Sequence, residues 1–286
     1  MYEQFYRLRE KPFSLTPDPA YLYLAKRHRH ALTMLEYVLQ EAAGFALITG
    51  EVGCGKTTVV RHFLERADSR LNVGFITNTH PGFGSLLPWI LESLGLEAAK
   101  GGGSESYRIL LTYLQEQHAA GRRTVLVVDE AQNLSVAGLE ELRVLTNLNS
   151  GRNLLLQTVL IGQPELRETL RLQSLRQFAQ RIALDHHIEA LQLDETRAYV
   201  LHRVGVAGGA GQLFTAEAVE RVHESAGGVP RLINTLCDTA LVYGFADQRP
   251  GIELDIVEQV IQDRAAGGLL PLRTAKTAAR GSHATS

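Results

Sequence analysis

Gly50-Glu51-Val52-Gly53-Cys54-Gly55-Lys56-Thr57 carries the spacing of a phosphate-binding loop, G-x-x-x-x-G-K-[ST], at every fixed position. Glycines let a backbone turn back on itself so that its N–H groups point inward and form an anion nest. A helix opening at the end of such a loop aims its positive pole at the same phosphates. Gly50, Glu51, Val52, Gly53, Cys54, Gly55, Lys56, Thr57 and Thr58 are therefore the candidate nucleotide contacts. Lys56 is expected at the β- and γ-phosphates, and the Thr57 hydroxyl on Mg²⁺. A second pair of groups, Asp129-Glu130, closes the apolar run Val125-Leu126-Val127-Val128. Asp129 is expected to hold Mg²⁺, in part through water, and Glu130 to orient and polarise an attacking water. The chemistry implied is Mg²⁺-dependent hydrolysis of a nucleoside triphosphate. The plainer readings are a chance glycine-rich turn and an acid pair that merely opens a helix. The surrounding elements decide between them.

Phe45-Ala46-Leu47-Ile48-Thr49 reads as a buried strand running into the loop, and Thr58–Ala67 as the helix leaving it. Val73–Ile76 reads as a second strand, Thr124–Glu130 as a third, Leu154–Ile161 as a fourth and Ile182–Ile188 as a fifth. Helices are expected around Leu86–Leu94 and Tyr107–Leu114, and over Val136–Asn149 and Glu165–Arg176. Strands alternating with helices predict an α/β core at 45–190 with a parallel five-stranded sheet. Near-continuous apolar strands suit a sheet covered on both faces. Residues 1–44 form an expected N-terminal arm, rich in proline around Pro12–Pro19, ending in a helix over His30–Ala43. The arm either braces the core or passes beside the nucleotide base. From Leu191 the pattern is helical only, which predicts a lid over 191–266. Thr215 and Asp255 are candidate helix caps, and Pro230 suits a first helical turn. The stretch 267–286 carries Arg273, Lys276 and Arg280 with no acid and is expected to be a disordered basic tail.

With 286 residues, 45% of them hydrophobic, the chain can bury a sizeable core. A net charge of −2 gives no general attraction to nucleic acid or anionic membrane. No apolar run has the length of a membrane span, and the N-terminus lacks the apolar segment of a secretory signal. The two cysteines, Cys54 and Cys237, are expected as thiols, which together with the missing signal places the protein in the cytoplasm. His28, His30, His186 and His187 lie in no zinc-binding spacing and are read as surface or structural.

Five blocks in order carry a resemblance. They are Pro12-Phe13-Ser14-Leu15-Thr16-Pro17-Asp18-Pro19, Thr49–Thr58, Val128-Asp129-Glu130-Ala131-Gln132-Asn133-Leu134, Ile161-Gly162-Gln163-Pro164-Glu165-Leu166 and Gly228-Val229-Pro230-Arg231-Leu232-Ile233-Asn234. On these, over about residues 1–265, the chain resembles an AAA+ ATPase of the general secretion pathway protein A family. The resemblance implies a P-loop AAA+ core followed by an all-helical lid. It implies that Gln163 is a polar sensor of water or γ-phosphate, and that Arg231 is a lid arginine touching the nucleotide. Arg181 matches the position of an arginine finger completing a neighbouring subunit's site, with Arg176 as the alternative. Pro12 and Phe13 are candidate contacts to the base, with simple packing as the other reading. Family members of the secretion loci carry a membrane span and a peptidoglycan-binding module. This sequence shows neither, and so is similar to the shorter ATPases of exosortase and exopolysaccharide loci.

The function expected from the resemblance is an assembly motor or switch for a bacterial envelope secretion or exopolysaccharide export system. Its partners would be ATP and ADP, further copies of itself in a nucleotide-dependent homo-oligomer, and export proteins that bring it to the inner membrane peripherally. The alternative is a DNA-associated AAA+ ATPase of the transposition-regulator type, which the net charge does not favour. A non-enzymatic nucleotide-sensing scaffold is a third reading, opposed by Asp129-Glu130.

Overall fold

The computed structural model describes residues 1–16, 18–40, 44–67, 70–77, 79, 84–99, 102–150, 153–209 and 212–267. It divides into two compact units. One comprises Lys26–Glu51 and Lys56–Ile188; the other comprises Met1–Ala25, Val52–Gly55 and the chain from Glu189 on.

The first unit is built on a sheet. Its strands among the described residues are β1 (Phe45–Gly50), β2 (Leu71–Ile76), β3 (Arg123–Val128), β6 (Leu156–Gly162) and β7 (Ile182–Ile188), all parallel, in the order β2-β3-β6-β1-β7. A separate antiparallel pair joins β4 (Asn149–Ser150) to β5 (Asn153–Leu154). The central strands β1 and β6 are buried at every position, and β3 at all but its first. The edge strand β7 alternates buried with less buried positions, and the other edge, β2, is mostly half-buried. Sequence pattern follows position here: strands covered on both faces are mostly apolar, with a few buried polar residues such as Gln157 and Thr158, and edge strands need only one apolar face. Packed along the sheet are α1 (Lys26–Gln40), α2 (Lys56–Arg66), α3 (Leu87–Ser93), α4 (Gly103–Ala119) and α6 (Pro164–Leu170). Leu110, Leu114, Leu126, Leu139, Leu142 and Leu160 lie in the resulting core.

Several boundaries differ from the sequence-based expectation. α1 opens at Lys26, not His30. β3 stops at Val128, leaving Asp129 and Glu130 in the turn beyond it. The expected helix Val136–Asn149 ends earlier, as α5 (Val136–Leu145); a turn follows, and Asn149 opens β4 instead. Glu165–Arg176 is not one helix. α6 stops at Leu170, a 3₁₀ turn follows over Gln173–Leu175, and α7 (Arg176–Ala179) is a new single turn. Leu170, Leu175 and Phe178 all reach the core, and a straight helix would not bring that spacing to one face.

The second unit is helical: α8 (Leu193–Val206), α9 (Ala216–Ala226), α10 (Pro230–Ala246) and α11 (Leu254–Gly267). Thr215 caps α9 by accepting the Ala218 N–H, and Pro230 opens α10. Asp255 lies inside the first turn of α11, not ahead of it, so it complements the helix dipole there. The stretch 1–44, expected as one arm, is divided. Tyr2, Tyr6, Leu8, Phe13 and Tyr21 belong to the helical core, while α1 belongs to the sheet unit. Beyond residue 267 the expected tail lies outside the described residues. No helix among the described residues is long and apolar enough to cross a membrane.

Candidate functional site

Parallel strands end their chains on the same edge of the sheet, and ligands of open α/β sheets gather there. β1 and β3, which carry the two sequence signatures, are not neighbours: β6 runs between them. Thr49 of β1 pairs with Gly162 of β6, and Val128 of β3 with Leu160 of β6. The loop after β1, the acids after β3 and Gln163 after β6 therefore emerge side by side.

The glycine loop leaves β1 at Gly50, where an added Cβ would stand 2.5 Å from the Ile188 carbonyl oxygen. Gly53 and Gly55 have φ of +85° and +87°, the left-handed region that favours glycine. Arg231 donates its backbone N–H to the Gly53 carbonyl at 3.3 Å, and a Cβ on Gly53 would lie 2.5 Å from the Arg231 Cβ. Cys54 is a buried thiol. Glu51, Val52 and Thr58 are exposed. Lys56 is buried at 7% exposure, with its ammonium 2.8 Å from the Gly50 carbonyl and 3.0 Å from that of Glu51. The loop's own backbone thus holds the cation inside its curve.

Thr57, the second residue of α2, donates its hydroxyl to Asp129 Oδ2 at 2.8 Å. Asp129 is 8% exposed, and its Oδ1 accepts the Glu130 N–H at 2.9 Å. A hydroxyl and a carboxylate brought together at two chain ends are hard oxygen donors, the kind Mg²⁺ prefers alongside water and phosphate oxygens. The donor set fits the metal, and the glycine cradle fits a phosphate.

Glu130 is left-handed, with φ 51° and ψ 38°. Such a backbone is costly for a residue with a Cβ, by about 1–2 kcal/mol, and persists only where neighbours enforce it. Its carbonyl accepts the Asn133 N–H at 2.9 Å and lies 2.5 Å from the Thr79 hydroxyl, which is also 3.1 Å from the Asp129 carbonyl. Asn133 Nδ2 in turn donates to the Thr79 carbonyl at 3.0 Å. The Glu130 carboxylate accepts from Gln132 Nε2 at 2.5 Å and from Gln163 Nε2 at 3.3 Å.

Lys56, Thr57, Asp129, Glu130 and Gln163 thus belong to one edge of one unit. Thr79, Gln132 and Asn133 join them without having been singled out from sequence. Gln132 and Asn133 sit in the block Asp129–Leu134, where a polar pair following two acids was the available signal; Thr79 offered none.

The remaining candidates fall elsewhere. Arg181 is exposed and donates to Asn147 Oδ1 and, at 3.4 Å, to the Arg143 carbonyl. Arg176 is exposed at the start of α7 and makes no side-chain hydrogen bond or ion pair with the described residues. Pro12 and Phe13 have two readings, base contact and packing. Pro12 is buried, and Phe13 is 1% exposed with its ring edge-on to Phe214 at 5.7 Å. The enclosure of this ring accords with the packing reading. Arg203 anchors this stretch, donating to the carbonyls of Pro12 at 2.5 Å and Ser14 at 3.2 Å. Of the histidines, His186 lies within bonding distance of the Arg27 carbonyl, 3.1 Å, and His187 Nδ1 stands 3.0 Å from the Thr49 hydroxyl.

Residues 39–170 match a family model described as an AAA domain. The chain is 45% identical over 247 residues to a general secretion pathway protein A of Aeromonas hydrophila, a match that covers 86% of this chain and 45% of the relative. The chain therefore spans less than half the length of that curated relative. Among solved structures, Drosophila ORC bound to DNA aligns with a TM-score of 0.65 at 18% identity, covering 98% of this chain and 68% of that one. Aeropyrum pernix ORC2, solved as ADPNP-ADP complexes, aligns with a TM-score of 0.63 at 17% identity, covering 88% and 71%. At such identities the likeness speaks for the fold alone.

Proposed function

The chain belongs to the AAA+ ATPases related to general secretion pathway protein A, and from that premise we propose that it hydrolyses ATP as an assembly motor or switch for a bacterial envelope secretion or exopolysaccharide export system. The observation that carries the ATPase reading is the bond of 2.8 Å from the Thr57 hydroxyl to Asp129, which joins the phosphate loop's helix to the acid turn. In the proposed mechanism the loop N–H groups and Lys56 bind and orient the triphosphate. Thr57 and Asp129 would hold Mg²⁺, whose chemistry is to neutralise charge on the phosphates. Glu130 takes a proton from the attacking water, and Gln163 holds the Glu130 carboxylate from the neighbouring strand end. Arg231, whose backbone N–H donates to the Gly53 carbonyl, would be a further contact to the nucleotide. Arg181 or Arg176 would act as a finger on a neighbouring copy, which makes turnover depend on assembly.

Phosphate release by purified protein tests this. Lys56→Ala should lose ATP binding. Glu130→Gln should bind ATP yet turn over about 10²- to 10⁴-fold more slowly. Turnover at the unaltered rate by Glu130→Gln would remove Glu130 from the mechanism.

A second reading, a DNA-associated ATPase, is favoured by one surface. Lys26, Arg27, Arg29 and His30 are exposed at the start of α1, whose first turn holds no acid. Among the arginines of 167–181, Arg167 is paired with Asp185 at 2.6 Å and Arg181 with Asn147. Binding to duplex DNA that weakens steeply with salt would support this reading. The absence of ATP-dependent binding at low salt would retire it.

A further inference from the structure

Gln132 is the residue in the acid turn with bonds on both sides. Its Oε1 accepts the backbone N–H of Gln163 at 3.1 Å, and its Nε2 donates to Glu130 Oε2 at 2.5 Å. A backbone N–H can only donate, so the amide oxygen must face Gln163 and the NH₂ must face Glu130; no flip satisfies both partners. The support is firm, because Gln163 is the N-cap of α6 and directly follows β6, a central strand. The approach is also close. A Cβ on Gly162 would lie 3.1 Å from Gln132 Oε1 and 2.6 Å from Leu166 Cδ2. Gln163 Nε2 reaches the same Glu130 Oε2 at 3.3 Å. Glu130 Oε1 receives no hydrogen bond from the described residues.

We propose that Gln132 is a positioning residue for hydrolysis. It clamps Oε2 of Glu130 to the end of β6 and leaves Oε1 to take the proton of the attacking water. A shift at the end of β6, where Gln163 sits, then moves the carboxylate as well, because one amide spans both. The inference rests on the ATPase reading above and assigns within it how the base is aimed.

Two substitutions separate aiming from support. Gln132→Met keeps the length and removes both bonds. Gln132→Glu keeps an acceptor for the Gln163 N–H and removes the donor to Glu130. Both should lower kcat by roughly 10- to 100-fold, the loss of one bond to a charged group. KM for ATP and binding of a fluorescent ATP analogue should stay close to those of the unaltered protein, while melting falls by only a few degrees, as for the loss of one such bond. A kcat within twofold of the unaltered protein in Gln132→Glu would overturn the proposal. So would loss of analogue binding by both variants, which would make Gln132 structural. If the unaltered protein turns over and Glu130→Gln does not, either result sinks this inference alone. If the unaltered protein releases no phosphate, the ATPase reading fails and this one with it.

Discussion

Replacing Thr57 by valine removes one hydroxyl and nearly preserves side-chain shape, so it isolates the bond between α2 and the acid turn. In the nucleotide-free protein Asp129 Oδ2 would lose its donor at 2.8 Å, while Oδ1 would keep the Glu130 N–H at 2.9 Å. A hydrogen bond to a charged acceptor contributes about 1.5–3 kcal/mol. The lower end applies, because Thr57 is half-exposed and the carboxylate keeps its second partner. A loss of about 1.5 kcal/mol corresponds to a drop of about 3–6 °C in the melting temperature of a domain of this size. Calorimetry without nucleotide measures it. The same variant should need far more Mg²⁺ for half-maximal phosphate release, and Thr57→Ser should restore both properties. If Thr57→Val melts with the unaltered protein and shows the same Mg²⁺ dependence, the hydroxyl and the carboxylate do not act as a pair.

Arg203→Leu should destabilise the helical unit by about 3 kcal/mol, because it strands the carbonyls of Pro12 and Ser14 and takes from the Tyr199 hydroxyl the donor at 2.9 Å, leaving it only its bond to Asn234. Urea denaturation followed by near-ultraviolet circular dichroism would show it, and an unchanged midpoint would refute it. Burial lowers the pKa of His186, His202 and His223, so the fold prefers their neutral forms. The unfolded chain then binds more protons below its ordinary histidine value of about 6.5, so stability is full above that pH and is lost as pH falls beneath it toward the depressed values. A urea midpoint that stays flat from pH 7.5 to about 5.5 would contradict this. Arg176→Ala should slow turnover more than Arg181→Ala, since Arg181 is already held by Asn147. Mixing Arg176→Ala with Lys56→Ala protein should recover activity if the finger acts between copies; no recovery in any mixture would exclude it.

Much of this protein was legible in residue order because the relevant forces are local. The loop Gly50–Thr57 declares its turn through glycines whose backbone angles other residues resist. The buried strands declare themselves by mostly apolar runs, Thr215 by the helix-end N–H it accepts, and Pro230 by lacking the N–H that a first helical turn leaves unpaired. Strand order was not local. That β6 lies between β1 and β3 follows from which apolar faces pack, and it brings Gln163 beside Glu130. The left-handed turn at Glu130 was hidden for the same reason, since Thr79, distant in sequence, helps to enforce it. Phe13 could be read as a base contact or as core until its contact with Phe214 showed which surface it covers. Residue types and short spacings determined the chemistry on offer. Long-range burial decided which of those groups could meet, because a side chain's partners are set by what packs around it and not by what precedes it in the chain.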